Sequence, residues 1–552
     1  MFTPVPQTED FSAMIVAPQP EATDAGAQTL AAGGNAVDAA VATALVQGVV
    51  DPLMSGIGGM AIAQIVTPDG QVHIIDGLGT SPQAVTPDVW ADRLLGPTTD
   101  GFGFRVEGHV NETGAQSIMT PGTLKTLEAI HTQFGRLAWS DLFAEAIRLA
   151  RSGWPIRPHV HTVLTQNEQK YGRMDFGDKL ANTADGRRIY LPHGTLPRLG
   201  DMIINPELAD TLTHLAKAGA TDLYTGELAG VIADSIRDGG GFLTRDDLAE
   251  YELQHRDPVV GRYRGLKVTL PPNPAGGVQT MQTLGILDRF DMGTIAHGSA
   301  AHIRILAEAM KHALRDKEDL WRRPTATNAD YAALLTAEAL DRAATEVRAG
   351  LRVDVDGPRY ADTDANAGPD NESRHTTHIS AMDADGLTVS LTHTLGNPSG
   401  FIPSGTGFMM NGGMSTFDPR PGTSNSVAPG ARRRTTMAPT VVHDETGPII
   451  AIGAPGASWI TPAIVQGISN IIDFGMPVDR AVAAPRIVAT SNAIDISNRI
   501  PRSVELALQG EDYEVRRSAL SFAFAGVHAI TRIDGRLAGG ADPQRDGYAA
   551  GV

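Results

Sequence analysis

The stretch from Asn371 to Ser390, NESRHTTHISAMDADGLTVS, constrains the fold more than any other part of the chain. It is entered through a polar run, Ala365 to Arg374, that holds Pro369 with the breakers Asn366, Gly368 and Asn371. Such a composition predicts a mobile loop. Thr376-Thr377-His378 then lead straight into alternating residues: Ile379, Ala381 and, past Asp385-Gly386, Leu387, Val389 and Leu391. An Asp-Gly pair between two alternating runs is a strong hairpin signal. The loop therefore delivers a threonine pair to the head of a buried strand. A hydroxyl is a poor nucleophile without a nearby base. A threonine at a chain terminus carries its own, the α-amine, whose ordinary pKa of about 7.7–8.0 suits proton transfer near neutrality. Cleavage between His375 and Thr376 would create that terminus. The residues alone fit better with a surface loop entering a strand, its threonines present for β-propensity.

Length allows several domains, but no stretch reads as a long linker, and 42% apolar with 20% charged residues is ordinary globular composition. The 60 glycines suit a loop-rich α/β protein with close backbone approaches. A formal charge of −18 argues against nucleic acid and anionic membrane surfaces as partners, since both attract basic patches. With no cysteine, disulfides, a thiol nucleophile and thiolate metal sites are excluded. MFTPVPQTEDFSAMIVAPQP has no basic region followed by an apolar core, and no apolar run is long enough to span a bilayer. The expected location is the cytoplasm.

Periodicity predicts a strand at Ala13–Val16, a helix from Pro20 to Gly33-Gly34, and a buried helix Ala36–Val49 capped by Asn35. SGIGGMAIAQIV (Ser55–Val66) reads as a glycine turn entering a core strand, with Gln71–Ile75 as its hairpin partner. The glycines at Gly56-Ile57-Gly58-Gly59 and Gly77-Leu78-Gly79 do not form GxGxxG between a strand and a helix, so no dinucleotide site is expected. Helices are predicted at Thr123–Phe134, Trp139–Ser152, Pro206–Ala218, Glu227–Asp238, Thr244–Tyr251, Ala300–Asp319 and Asn328–Ala349, with a hairpin over Pro258–Thr269. His159, His161, His297, His302 and His312 lack HExxH or a supporting acid pattern, and no metal or other cofactor is expected. After Thr376 the chain turns strand-rich: 377–382, 387–394, 407–411, 438–444 and 448–453, then helix Ile460–Phe474 and strands near 514–517 and 526–533. Helices first and strands later suit a layered α/β sandwich.

ESRHTTHISAMDADGLTVSLTHT resembles the start of the small subunit in the γ-glutamyltransferase family. The resemblance continues through MNGGMSTFD (Met410–Asp418), NSVAPGARRRTTMAPT (Asn425–Thr440), IGAPGASWI (Ile452–Ile460), NIIDFGM (Asn470–Met476) and AVAAPRI (Ala481–Ile487), and runs back to GGNAVDAAVATAL near the N-terminus. It implies the αββα four-layer sandwich of N-terminal-nucleophile hydrolases, built jointly by a large subunit, 1–375, and a small subunit, 376–552. These would arise by self-cleavage of a zymogen and stay together as an intertwined heterodimer; the sequence leaves open any higher oligomer. Carried over by position, Thr376 is the cleavage residue and nucleophile, and Thr394 the second threonine that orients it. Gly456 and Ala457 supply the backbone N–H groups of the oxyanion hole. Thr435 and Thr436 stand in the place of a substrate-binding serine pair, and Asn411 falls among the substrate-binding positions.

The departures from the family pattern bear on substrate. Leu78 stands where the family has an arginine for the α-carboxylate of a γ-glutamyl group. Gly413 and Thr416 replace residues that hold the α-ammonium, and Gly396 replaces an asparagine. The lid loop is short at Pro419–Asn425. Arg432-Arg433-Arg434 ends in two arginines where the family has apolar or small residues, and Arg434 beside Thr435 is the expected carboxylate anchor; a solvated basic turn fits that run as well. The expected activity is hydrolysis of a small carboxylate-bearing amide of the oxamate or glutaryl type. The alternatives are a true γ-glutamyltransferase or glutathione hydrolase, and a non-catalytic metabolite binder.

Overall fold

The computed structural model describes residues 10–99, 103–355 and 375–552. The loop expected over Ala365–Arg374 lies outside the described residues. Thirteen strands build the two main sheets: β1 (Met14–Ala17), β2 (Met60–Val66), β3 (Val72–Gly77), β4 (Gln254–Arg256), β5 (Val259–Tyr263), β6 (Leu266–Leu270), β7 (Thr377–Met382), β8 (Thr388–Thr394), β9 (Thr440–His443), β10 (Pro448–Gly453), β11 (His528–Ile533), β12 (Arg536–Ala541) and β13 (Tyr548–Gly551). One sheet runs β13-β1-β7-β8-β2-β3-β4, the other β12-β11-β10-β9-β6-β5. Every pairing within them is antiparallel.

The hairpin β7–β8 sits at the centre of the first sheet. Thr377 pairs with His393 and Met382 with Thr388. Its turn is held by Asp383, whose Oδ1 accepts from the backbone N–H groups of Asp385 and Leu387, while Gly386 takes the left-handed φ of 93°. The other oxygen, Oδ2, accepts from Ala36 N at the start of helix Ala36–Val50, fixing hairpin to helix. That helix begins as expected, with Asn35 and Asp38 forming a reciprocal capping box. On either side the hairpin is bounded by strands from the other end of the chain, β1 against β7 and β2 against β8.

Side chains alternate between the two faces of the hairpin. Ile379, Ala381, Val389 and Leu391 join the apolar cluster that packs on helices Ala36–Val50 and Thr123–Phe134. The opposite face meets the second sheet and is polar: Ser380 Oγ reaches Ala451 O at 3.3 Å, Ser390 Oγ reaches Ile452 O at 3.2 Å, and Gln64 Nε2 donates to Thr269 Oγ1 at 2.7 Å. The outer face of the second sheet is covered by helices Gly277–Leu287 and Ile460–Ile472 in a second apolar cluster. Helix, sheet, sheet, helix is thus the layer order, as the sequence predicted.

Four expected elements differ. The strand over 407–411 reduces to isolated bridges at Met410 and Asn411, because Gly405 and Gly407 adopt φ of 73° and 72° and bend the approach. The helix over Asn328–Ala349 is two, Asn328–Ala333 and Ala337–Arg348, broken where Thr336 caps the second. Trp139–Ser152 starts as a 3-10 turn before the helix Ala144–Ser152, and Thr244–Tyr251 shortens to Arg245–Ala249. Helix Gly277–Leu287 is buried along its whole length, so its sequence carries no amphipathic stripe to announce it. No helix among the described residues is long and apolar enough to cross a membrane.

Buried histidines fill the layer between and beside the sheets. His378 contacts the hydroxyls of Thr392 (2.9 Å) and Ser380 (3.0 Å), and burial holds its pKa well below the usual 6.5. Burial likewise pulls His393 down to about 3, and His443 and His528 to about 4. In the unfolded chain these rings take up protons below pH 6.5, whereas in the folded protein His443 and His528 stay neutral until near pH 4, His393 until about pH 3, and His378 well below 6.5. Stability is therefore expected to fall as pH drops through that window, with a slope of up to roughly 1.4 kcal/mol per pH unit for each histidine. Denaturant midpoints measured from pH 7 to pH 4.5 check this, and His393→Gln should flatten the slope.

Candidate active site

The even-numbered residues of β7 face the second sheet, and that alternation extends to Thr376 just before the strand. Its hydroxyl lies 2.9 Å from Thr394 Oγ1 at the end of β8. Thr394 donates its one proton to the carbonyl oxygen of His375, so the Thr376 hydroxyl is the donor in the contact between the two threonines. Thr394 also accepts from Gly396 N at 2.8 Å. The carbonyl of the His375–Thr376 peptide bond is thus polarised by one threonine hydroxyl while the other sits beside it. The His375 ring is buried and meets Phe176 edge-on at 5.1 Å. Lys179, fully buried and reaching Asn397 Oδ1 at 2.8 Å, lies over the same phenylalanine.

The second sheet brings the glycine-rich turn to the same end. A side chain at Gly453 would collide with the His378 ring, and Ser380 contacts Ala451. Stepping back along β7 therefore advances along β10, which carries Pro455-Gly456 toward Thr376. Gly456 has φ of 135° and Ala457 φ of 47°. Among the described residues no hydrogen bond runs from either of their N–H groups to another protein group. Thr436 Oγ1 donates to Ala457 O at 2.6 Å, fixing the turn, and Trp459 N closes it onto Gly456 O at 2.9 Å before helix Ile460–Ile472 begins. The turn carries two unengaged donors at the N-terminus of a helix, a setting suited to developing negative charge.

A cavity of about 660 Å³ opens beside this turn, with Thr435, Thr436, Ser458, Arg434, Thr416 and Trp321 on its walls. Thr376 is not on that lining and is only 7% exposed. The short loop Pro419–Asn425 forms part of the rim, tied down by the Asp418–Arg420 ion pair at 2.8 Å. Ser458 and Trp321 escaped the sequence reading. Ser458 is adjacent to the recognised GAPGA turn, whereas Trp321, at the end of helix Ala300–Trp321, carries no local signal.

The other expected site residues separate. Leu78 has its side chain in the apolar cluster, not the cavity, and its carbonyl accepts from Tyr251 OH and Arg432. Asn411 spends both ends of its amide on the protein: Oδ1 accepts from Met119 N and Gly413 N, and Nδ2 donates to Gly58 O and Met119 O. It fixes loops and has no polar atom left for a ligand. A side chain at Gly413 would strike Met119. The three arginines diverge. Arg432 is committed to Asp76 at 3.2 Å and to the carbonyls of Leu78 and Glu252. Arg434 lies 4.6 Å over the Trp321 ring and donates to Trp321 O and Ser424 Oγ. Arg433 is buried, and burial lowers its pKa to about 10; its Nε donates to Arg434 O and its Nη1 has no partner.

Two antiparallel sheets between helical layers, with a hydroxyl at the head of a central strand and a donor turn opposite, define an N-terminal-nucleophile hydrolase. The chain belongs to the gamma-glutamyltranspeptidase family, whose model matches residues 22–552, and it is an enzyme of that family. It is 33% identical over 561 residues to the acylase ACY 1 proenzyme of Pseudomonas sp. (strain SE83), across 99% of this chain and 96% of the relative. To the glutathione hydrolase proenzyme of Bacillus subtilis (strain 168) it is 30% identical over 535 residues, across 93% of this chain and 87% of the relative. The crystal structure of cephalosporin acylase from Bacillus halodurans superposes with a TM-score of 0.83 at 27% identity, across 100% of this chain and 98% of that one.

The turn itself is testable. A Cβ at Gly456 would sit 2.6 Å from Ala525 Cβ in a backbone conformation unfavourable to side chains. Gly456→Ala is expected to destabilise the fold by about 1–3 kcal/mol, read as a lowered denaturation midpoint with the sheet circular-dichroism signal retained.

Proposed function

We propose that the protein is a self-processed amidohydrolase that uses Thr376 as its nucleophile. The observation that carries this is the hydroxyl pair Thr376–Thr394 set on the His375 carbonyl. Maturation begins when Thr376 Oγ1 attacks that carbonyl carbon. The new C–O bond replaces the C–N bond, the freed nitrogen takes the proton and becomes an α-amine, and water hydrolyses the ester. The products are 1–375, ending in a carboxylate, and 376–552, beginning with Thr376. They stay together because β7 and β8 are paired with β1 and β2. In turnover the α-amine accepts the Thr376 proton as Oγ1 attacks the substrate amide, then passes it to the leaving amine. The acyl-enzyme is hydrolysed by water in the same way. Gly456 N–H and Ala457 N–H receive the oxyanion, each worth about 2.7–4 kcal/mol.

The substrate is a small amide whose acyl part ends in a carboxylate. Relatives named as acylases match nearly the whole chain, and Leu78, with its side chain in the core, offers no charge to a γ-glutamyl head group. The 30% identity to a glutathione hydrolase proenzyme supports γ-glutamyl hydrolysis as the second reading. Turnover of a γ-glutamyl anilide against the matched glutaryl anilide separates them. The glutaryl compound is expected to have the higher kcat/KM, and a tenfold preference for γ-glutamyl, about 1.4 kcal/mol, puts the second reading first.

Two further outcomes are expected. Intact-mass spectrometry of purified protein should show fragments 1–375 and 376–552 that co-elute under native conditions. Thr376→Ala should remain one inactive chain; a cut at the same bond in that variant rules out self-cleavage by Thr376. Activity should also rise with pH through an apparent midpoint at or below about 7.7–8.0, as the α-amine loses its proton. A limb governed by a group near pH 4 would instead assign the base to a carboxylate.

A further inference from the structure

We infer that Arg433, and not Arg434, is the anchor for the substrate's far carboxylate, its guanidinium seated against Gly396 near the two threonines. The inference rests on the amidohydrolase reading above and adds the acyl chain's class: a short dicarboxylic half-amide whose free end meets a buried guanidinium.

Three observations carry it. The first is an unmet donor. Arg433 is 3% exposed, its Nη1 has no hydrogen-bond partner, and no carboxylate among the described residues is paired with it. A buried cation left without a partner is costly, and such groups are found where a ligand or ion completes them. Its neighbours Arg432 and Arg434 are occupied, the one by Asp76 and the other by Trp321 and Ser424.

The second is the seat. A Cβ at residue 396 would collide with Arg433 Nη1, so only glycine admits the guanidinium there, and Gly396 holds a φ of 75° that also favours glycine. The third is distance. Gly396 N donates to Thr394 Oγ1 at 2.8 Å, and Thr394 lies 2.9 Å from Thr376 Oγ1. With the intervening bond lengths, Nη1 is no more than roughly 8 Å from the Thr394 hydroxyl and roughly 11 Å from Thr376 Oγ1. A half-amide of two to five carbons spans that interval: its carbonyl carbon meets Thr376 Oγ1 while its carboxylate takes a charge-assisted bond from Nη1. The anchor holds the acyl part on both sides of the reaction and exchanges no proton.

The experiment uses the processed enzyme with paired anilides matched in length, succinyl against butyryl and glutaryl against valeryl, each pair differing in the terminal carboxylate. The wild type is expected to favour the carboxylate member by at least tenfold in kcat/KM. Arg433→Met should lower kcat/KM for that member by roughly 10- to 100-fold and bring the ratio below three, with Arg433→Lys in between. Arg434→Met should leave the ratio above ten. A wild-type ratio near one overturns the anchor while leaving the amidohydrolase standing, and so does a ratio retained in Arg433→Met. If Arg433→Met yields no processed protein, the wild-type ratio and Arg433→Lys decide on the same terms. If the wild type hydrolyses none of the anilides, calorimetry with free glutarate and succinate decides. Binding that Arg433→Lys weakens upholds the anchor and sinks the amidohydrolase reading, and no binding overturns both.

Discussion

The structure depends on one set of backbone pairings: the hairpin of β7 and β8 is held between β1 and β2. Residues 377–394 lie between strands that begin more than three hundred positions earlier in the chain, so neither segment can complete the sheet alone. The bond before Thr376 can therefore be the site of chemistry without being a structural necessity. His375 and Thr376 are both buried, and the strand that follows is held by pairings that do not run through the bond itself. The same pairing places Thr394, the last residue of β8, beside the head of β7, because an antiparallel hairpin brings the start of one strand to the end of the other.

The second constraint is the polar interface between the sheets. Sheets commonly meet through interdigitated apolar side chains. Here serine, threonine and glutamine bridge the gap near the middle of both sheets, with neutral His378 hydrogen-bonded among them. These bonds fix the relative register of the sheets, since each donor must find its acceptor inside a medium that punishes a miss. Register is what the site needs. The Gly456–Ala457 turn follows β10 of one sheet and Thr376 precedes β7 of the other, so a slide by one residue would change the spacing between them. The depressed pKa of His378 belongs to the same arrangement, because protonation would set charge into the layer that aligns the two halves.

Charge at the site follows a similar logic. Of the three successive arginines, two are spent on the protein and one is left buried with a free donor. A run of three cations reads as a solvated turn when only composition is considered. The fold gives each a different environment: Arg432 turns to Asp76 and Glu252, Arg434 to Trp321 and Ser424, and Arg433 is buried against Gly396. Leu78 and Asn411 make the complementary point. Both occupy positions that a motif alignment assigns to ligand contact, yet one is packed in the core and the other is saturated by loop backbone.

Local chemistry made a good deal legible in advance. The Asp-Gly hairpin, the Asn35 cap, the glycine turn before β2, helix Thr123–Phe134 and the threonine pair at the head of a strand are written in neighbouring residues; helices preceding strands suited a layered sandwich, and the layer order came from the family resemblance. What could not be read locally depended on what packs where. Helix Gly277–Leu287 has no stripe because it is surrounded, and the strand expected at 407–411 failed because two glycines turn the chain aside. Trp321 reaches the cavity from the end of a long helix, more than a hundred residues before the GAPGAS turn in the chain but on the wall of the same cavity. The sequence by itself determined the hydroxyls, the donor turn and the family's layered fold. Only the tertiary structure decided which arginine keeps an unmet donor at the site, since whether a side chain is paired, buried or open depends on contacts between elements distant in the chain, and no local pattern encodes those.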